Sequence, residues 1–275
     1  MQSQDAQTAD VARHYTRRHE QRGNIFGSQP FANYGYWTNS RMTMEEAAEA
    51  LTVFVAASCG LSSQDSVLDV GCGYGAGAVV CARRFRPRSI IGIDITDIRL
   101  EHGRRYVSEQ HFDDRIELRM GDATAMEFGD NSFDKIMSVE CAFHFNTRAD
   151  FLREAGRVLR PGGTLALTDM IPRRGVDPTS YLQGSTAVGT GVCLDNHLNA
   201  YDADTYAEHL RAVGFTSVRI ESIIEWTRIP FVEAFDRIGR CLEGERANEV
   251  QKSVGRLRGL IAAGEDYVLV TARKA

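Results

Sequence analysis

Residues 67 to 77 read Val-Leu-Asp-Val-Gly-Cys-Gly-Tyr-Gly-Ala-Gly, a short apolar stretch that contains one acid and is followed by alternating glycines. Asp69 lies inside the apolar stretch, just before the first of these glycines. Glycines in such a run permit a tight turn from a strand into a helix, with the backbone close to a ligand, because no Cβ intervenes. The run also fits the dinucleotide pattern GxGxxG/A, so by itself it does not distinguish a nicotinamide site from another nucleoside site.

Strand and helix patterns alternate on both sides of this stretch. Strands are predicted at residues 66–70, 89–94, 116–120, 135–139 and 164–168, and helices at residues 75–84, 97–110 and 147–159. This alternation predicts an α/β fold, in which a mostly parallel sheet carries helices on both faces. Further strands are predicted at residues 217–223 and 267–272. A helix over residues 44–57 is indicated by a capping box of Thr43 and Glu46.

The remaining segments suggest a covering layer. Residues 1–60 are predicted to form an N-terminal helical cap segment, and residues 61–275 the main domain. Two irregular insertions interrupt that domain, at about residues 171–200 and 225–265. Ligands in open α/β sheets bind outside the carboxyl ends of the strands, so these segments are expected to cover a site there. The apolar stripe within residues 243–262 fits either a homodimer contact or a helix packed inside the chain.

Composition excludes several classes of protein. The formal net charge of -5 argues against a nucleic-acid partner, since phosphate neutralisation needs an excess of Lys and Arg. The six cysteines form no CxxC pair and no Cys/His cluster at zinc spacing, so we expect no metal site and a reducing, cytoplasmic location. No apolar run approaches the roughly 20 residues that span a bilayer, and no membrane association is expected.

Three further features follow the glycine run at regular intervals. Asp94 ends the second predicted strand, and a carboxylate there offers two acceptor oxygens for the hydroxyls of a ribose. Gly121-Asp122-Ala123 follows the third strand, where a carboxylate can receive an adenine amino group. Leu159-Arg-Pro-Gly-Gly163 precedes the fifth strand. Asp94 and Asp122 also have purely structural readings, as a strand-end acid and as a turn residue.

Taken in order, these motifs resemble the class I S-adenosylmethionine (SAM) dependent methyltransferases over about residues 65–170. The resemblance implies a Rossmann-like sheet of seven mostly parallel strands with an antiparallel last strand. Asp69 and the glycine backbone would hold the methionine part of SAM, Asp94 the ribose, and Asp122 with Ala123 the adenine. The implied cofactor-binding residues are Asp69, Gly71, Cys72, Gly73, Asp94, Ile95, Asp122, Ala123, Glu140, Tyr36 and Trp37.

A narrower resemblance lies outside the glycine core. Asn33-Tyr-Gly-Tyr-Trp37, Glu140-Cys-Ala-Phe-His-Phe145 and Glu225-Trp-Thr are similar to the γ-tocopherol-type methyltransferases. They also resemble the macrolide-sugar and indolocarbazole-sugar O-methyltransferases of antibiotic pathways. This resemblance implies methyl transfer to a hydroxyl of a small-molecule natural product, with an acceptor lid after the fifth strand.

Three residues are candidates for catalysis. His144 follows the fourth strand, and an unperturbed histidine pKa near ~6.5 suits proton removal from an alcohol at neutral pH. Asp169 ends the fifth strand and is expected to orient His144 or to bind the acceptor, as the resemblance implies. Glu140 is the third candidate, although presenting its backbone to SAM is the simpler role. Core packing of His144, Tyr36 and Trp37 and a turn-capping role for Asp169 are the structural alternatives.

Other reactions remain compatible with the same motifs. In C-methylation of an alkene, prenyl or phenolic carbon, Glu140, His144 or Asp169 would stabilise a cation or take a ring proton. A SAM-binding cyclase or isomerase would use the fold without transferring a methyl group. A nicotinamide oxidoreductase is disfavoured, because it would not be expected to combine the Gly-Asp-Ala and Leu-Arg-Pro-Gly-Gly motifs.

Overall fold

The computed structural model describes residues 2–20, 30–181, 197–199 and 202–275. Residues 21–29 of the predicted cap segment and residues 182–196, which make up about half of the first predicted insertion, lie outside the described residues.

Seven strands form one sheet in the order β3-β2-β1-β4-β5-β7-β6. They are β1 (Ser66–Val70), β2 (Ser89–Asp94), β3 (Ile116–Met120), β4 (Phe133–Ser138), β5 (Leu159–Pro172), β6 (Phe215–Ser222) and β7 (Glu265–Lys274). Strands β1 to β5 run parallel, and β7 is antiparallel to both β5 and β6. The sheet confirms the Rossmann-like fold class and the antiparallel last strand that the sequence predicts.

Eight α-helices lie within the described residues. They are α1 (Gln2–Glu20), α2 (Met44–Ser58), α3 (Ala76–Phe85), α4 (Asp97–Glu109), α5 (Arg148–Val158), α6 (Ala203–Ala212), α7 (Arg228–Arg240) and α8 (Gly244–Ala262). No helix in these ranges has the length and apolar character that a membrane span requires.

The fifth strand differs from its prediction. It was expected at residues 164–168, but β5 begins at Leu159 and continues to Pro172, into the predicted insertion. Phe133 pairs with Leu159 and Lys135 with Thr164, so the Arg-Pro-Gly-Gly segment bulges out of the β4–β5 ladder. The extension beyond residue 168 exists because β7 pairs with β5 as far as Pro172 opposite Glu265, and this long-range partner is not visible in the local sequence.

The core occupies both faces of the sheet. On one face Leu51 and Val55 of α2 pack in a buried cluster with Val67 and Ile90 of the sheet. On the other face Phe151 of α5 belongs to a second cluster that includes strands β4, β5 and β7. Helix α2, which the sequence assigns to the N-terminal cap segment, therefore contributes directly to the core of the sheet domain.

The stripe in α8 packs inside the chain. Val250, Val254 and Leu257 form a buried cluster with Phe231 and Phe235 of α7. Of the two readings left open by the sequence, the structure supports the intrachain helix for this stripe.

A buried ion pair joins the start of α7 to the start of β7. Arg228 and Glu265 are almost fully buried, and their side chains approach to 2.7 Å. The hydroxyl of Tyr181 donates to the other oxygen of Glu265 at 3.1 Å. Tyr181 precedes residues 182–196, so this bond fixes the chain at the start of that stretch.

Candidate active site

A cavity lies at the carboxyl ends of the central strands, where β1 pairs with both β2 and β4. Its empty space is about 1180 Å³, including the open mouth. The strand-end segments form its floor, while α1 and residues 30–33 form part of its wall. Of the predicted site residues, it is lined by Asp69, Gly71, Cys72, Gly73, Asp94, Ile95, Asp122, Ala123, Glu140 and His144.

The glycine run turns the chain from β1 into α3 as predicted. Gly71 has a φ of +76°, and a Cβ at this position would lie 2.1 Å from the sulfur of Cys141. The amides of Gly71 and Cys72 both donate to the carbonyl of Ile93 in β2, at 2.8 and 3.0 Å. A side chain at residue 71 would therefore force apart the loop and the segment that follows β4.

Asp94 is tied to the glycine loop. Its Oδ2 accepts from the amide of Gly73 at 2.9 Å, and its Oδ1 accepts from the amide of Thr96 at 2.8 Å. These two bonds orient the carboxylate at the end of β2 on the cavity wall. Each carboxylate oxygen has a second lone pair, so acceptance of ligand hydroxyls remains compatible with this arrangement.

Two further acids differ in their surroundings. Asp122 accepts from both the amide and the hydroxyl of Thr124 at 2.7 Å, and all of these bonds go to Oδ1. Asp69 is half-buried, and desolvation together with the nearby charge of Asp94 raises its pKa to about 7. A desolvated acid on a cavity wall favours a cationic ligand, since a positive charge offsets the cost of ionisation.

The cavity therefore fits the cofactor that the resemblance implies. Gly71 leaves a space that a Cβ would fill, and carboxylates suit the hydroxyl, amino and sulfonium groups of SAM. Asp69, Asp94 and Asp122 all reach this cavity because they lie at or near the carboxyl ends of parallel strands, which share one edge of the sheet.

Glu140 is half-buried and anchors two neighbouring segments. One oxygen of its carboxylate accepts from the amide of Tyr34 at 2.6 Å and from the hydroxyl of Tyr267 at 2.8 Å. Burial raises its pKa to about 7, although these two bonds and the nearby Arg228 act in the opposite direction. Its backbone amide donates to the hydroxyl of Thr168 in β5. The side chain thus holds the segment before α2 against the end of β4.

His144 ends a short 3₁₀ turn after β4 and lines the cavity. Its Nε2 lies 2.5 Å from the hydroxyl of Tyr15 on α1. Phe143 packs beside the imidazole with ring centroids 4.1 Å apart. The histidine is therefore part of the cavity wall and is also hydrogen-bonded to a second cavity residue.

Asp169 does not contact His144, which its predicted role would require. Its fully buried carboxylate is bound by Arg148, with Nε–Oδ2 and Nη2–Oδ1 distances of 2.6 and 2.9 Å, and Tyr206 adds a bond at 3.2 Å. Asp169 is not one of the described residues that line the cavity. The predicted orientation of His144 by Asp169 is therefore a misassignment for this structure, because the carboxylate is already paired with a buried arginine.

Arg148 also connects this pair to the chain after residue 196. Its amide donates to the side-chain oxygen of Asn199 at 2.9 Å, and its guanidinium donates to the Asn199 carbonyl at 3.0 Å. The amide group of Asn199 donates in turn to the carbonyl of Phe145, next to His144, at 2.9 Å.

Tyr36 and Trp37 also lie away from the cavity wall. Tyr36 stacks on Phe54 with ring centroids 4.4 Å apart, and Trp37 is buried in the cluster formed by α7 and α8. Both residues therefore pack against other side chains of the protein, which is the structural alternative to cofactor binding that the sequence left open. The cavity is lined instead by the residues just before them, 30–33.

Sequence reasoning missed the residues that α1 and α4 bring to the cavity. Thr8, Val11 and Tyr15 of α1 line it, as does Arg99 of α4. The guanidinium of Arg99 lies 4.0 Å from the centroid of the Tyr15 ring. The helical period of residues 1–22 could have placed Val11 and Tyr15 on one face, but nothing local indicates what that face covers.

Comparison with known proteins agrees with this geometry. Residues 68–167 match a family described as a methyltransferase domain. The chain is 32% identical to the erythromycin 3''-O-methyltransferase of Saccharopolyspora erythraea over 89% of this chain and 83% of that protein. It is 32% identical to the 27-O-demethylrifamycin SV methyltransferase of Amycolatopsis mediterranei over 88% and 89% of the two chains. The crystal structure of the cyclase SpnF superimposes with a TM-score of 0.79 and 26% identity, over 97% of this chain and 96% of that one.

Proposed function

Because this chain belongs to the methyltransferase family, we propose that it transfers the methyl group of SAM to a hydroxyl of a small-molecule natural product. The observation that carries the choice of hydroxyl is the similarity, over most of the chain, to two O-methyltransferases that act in the erythromycin and rifamycin series. His144 on the wall of the cavity supports it, since an alcohol acceptor needs a proton acceptor.

SAM supplies a methyl group that is already activated by its positive sulfur, so the protein contributes mainly binding, orientation and proton removal. Asp69 and the glycine loop would hold the methionine part of SAM, Asp94 the ribose and Asp122 the adenine. Holding donor and acceptor in line contributes up to ~7–11 kcal/mol to the lowering of the barrier. The walls from α1 and residues 30–33 would flank the reacting groups.

The assignment of His144 is tested by His144→Ala. We expect this variant to fold and to bind SAM with unchanged affinity by calorimetry, but to lose about 10²-fold or more of its turnover of a hydroxyl acceptor. His102→Ala is the matched control, because His102 is an exposed histidine on α4 and lies outside the cavity lining. A His144→Ala enzyme that keeps turnover within about tenfold of wild type would exclude the histidine as proton acceptor.

The acceptor atom is tested with methyl-labelled SAM and a panel of macrolide glycosides, phenols and prenyl diphosphates. Carbon NMR of the product distinguishes a methyl on oxygen, as we propose, from a methyl on carbon. The similarity to the cyclase SpnF gives a second candidate, ring closure without methyl transfer. Conversion of an acceptor without incorporation of label would favour that reaction.

A further inference from the structure

Tyr15 and His144 meet on the wall of the cavity. Tyr15 projects from α1, lines the cavity, and meets Nε2 of His144 at 2.5 Å. The two rings are nearly perpendicular, with an interplanar angle of 88° and centroids 5.2 Å apart. The imidazole nitrogen that would take a proton from an acceptor is therefore already occupied by a phenolic hydroxyl.

A neutral imidazole accepts a hydrogen bond only through its unprotonated nitrogen. If Tyr15 donates to Nε2, the ring carries its proton on Nδ1, and Nε2 is ready to receive the phenolic proton. An acceptor hydroxyl in the cavity can then donate to the oxygen of Tyr15, which lines the same cavity. A hydroxyl both donates and accepts, so it can pass a proton in one direction while keeping its own hydrogen bonds.

We propose that Tyr15 is a catalytic residue that relays the acceptor proton to His144. This relay rests on the proposed methyl transfer to a hydroxyl. As the acceptor oxygen gains the methyl group, its proton passes to the oxygen of Tyr15, and the proton of Tyr15 passes to Nε2 of His144. The tyrosine ends neutral and the histidine ends as imidazolium, which returns the proton to solvent after product release.

Arg99 supports the relay in two ways. Its guanidinium lies 4.0 Å from the ring centroid of Tyr15 and 5.1 Å from that of Tyr74, so it fixes the Tyr15 ring through a contact that does not involve the hydroxyl. The positive charge also stabilises negative charge that develops on the phenolic oxygen while the proton moves. Removal of the hydroxyl alone should therefore leave α1 in place.

The test is a double-mutant cycle with Tyr15→Phe, His144→Ala and the combined variant, measured in the full-length enzyme. We expect Tyr15→Phe to lower kcat by about 10²-fold or more, with SAM affinity unchanged. The combined variant should be no slower than His144→Ala, because both residues act on one proton. Tyr106→Phe, a half-buried tyrosine of α4 outside the cavity lining, is the matched control and should retain wild-type kcat.

Two results would overturn the relay. One is a Tyr15→Phe enzyme with a kcat within about threefold of wild type. It would mean that the Tyr15 hydroxyl only binds Nε2 of His144 while the acceptor is absent. The other is a combined loss equal to the product of the single losses, which would mean independent roles.

A readout without turnover separates the relay from the proposed function. Nitrogen-15 NMR of the histidine ring should show an unprotonated Nε2 that accepts a hydrogen bond in wild type, with the signal displaced in Tyr15→Phe. Identical spectra in the two proteins would overturn the relay. Failure of the proposed function looks different, because the wild type itself would then form no methyl ether with any acceptor in the panel.

Discussion

At the scale of single residues, the acids of the cavity do not share one electrostatic state. Asp94 and Asp122 accept bonds from neighbouring amides, whereas desolvation and the nearby charge of Asp94 raise the pKa of Asp69 to about 7. Burial also raises the pKa of Glu140 to about 7. These two groups hold protons in the folded cofactor-free protein that an unfolded chain would release near pH ~4. Over that window the folded state binds more protons, so its free energy of unfolding falls as pH rises from about 4 to 7.

Cofactor affinity should follow the opposite trend with pH. A cationic ligand beside Asp69 favours the carboxylate and releases its proton, so we expect SAM affinity to rise between about pH 6 and 8 and then to level off. Calorimetry in buffers of different ionisation enthalpy should detect proton release on binding. Asp69→Asn should remove most of this release and weaken binding. Equal affinities at pH 6 and pH 8 in the wild type would contradict this role for Asp69.

At the scale of elements, the start of α2 can be altered without touching the cavity. The hydroxyl of Thr43 accepts from the amide of Glu46, while the Glu46 carboxylate accepts from the amide of Thr43 at 2.8 Å. We expect Thr43→Ala to lower the free energy of unfolding by about 1 kcal/mol, since the cap is lost. Thr43→Ser should cost far less because it keeps the hydroxyl. Urea denaturation measures both, and equal losses would show that the hydroxyl is not responsible.

Local patterns predicted the elements well wherever neighbouring residues determine them. Strands β1, β2 and β3 occupy the residues that alternation and turn chemistry predict, and α2 begins at its predicted cap. The extent of β5 could not be predicted in this way. Its extension beyond residue 168 depends on pairing with β7, about a hundred residues later in the chain, which no local period reveals.

At the scale of the whole molecule, the buried pair of Arg148 and Asp169 holds distant segments together. Replacing Arg148 by Met would leave the Asp169 charge buried without its partner, and we expect a loss of about 3–5 kcal/mol in the free energy of unfolding. Arg84→Met is the matched control, since the Arg84 side chain is 62% exposed and its ion pair with Glu49 should contribute about 0–1 kcal/mol. Similar losses in the two variants, measured by urea denaturation, would contradict a structural role for the buried pair.

The same pair explains where prediction of the site failed. The acids of the cavity could be predicted because parallel strands bring their carboxyl ends to one edge. Arg148, which pairs with Asp169, comes from the start of α5. Tyr15, whose hydroxyl contacts His144, comes from α1. Both contacts depend on how helices pack across the sheet ends, and a single sequence records the residues but not that packing.

The bonds at Tyr181 and Asn199 fix the two ends of the stretch between them. Tyr181 is held by Glu265, and Asn199 is held by Arg148 and Phe145. A chain secured at both ends accepts changes of length and composition at a small entropic cost. A change of sequence between these two points would leave both bonds in place, so we expect it to alter the free energy of unfolding of the sheet domain far less than a change at Glu265 or Arg148.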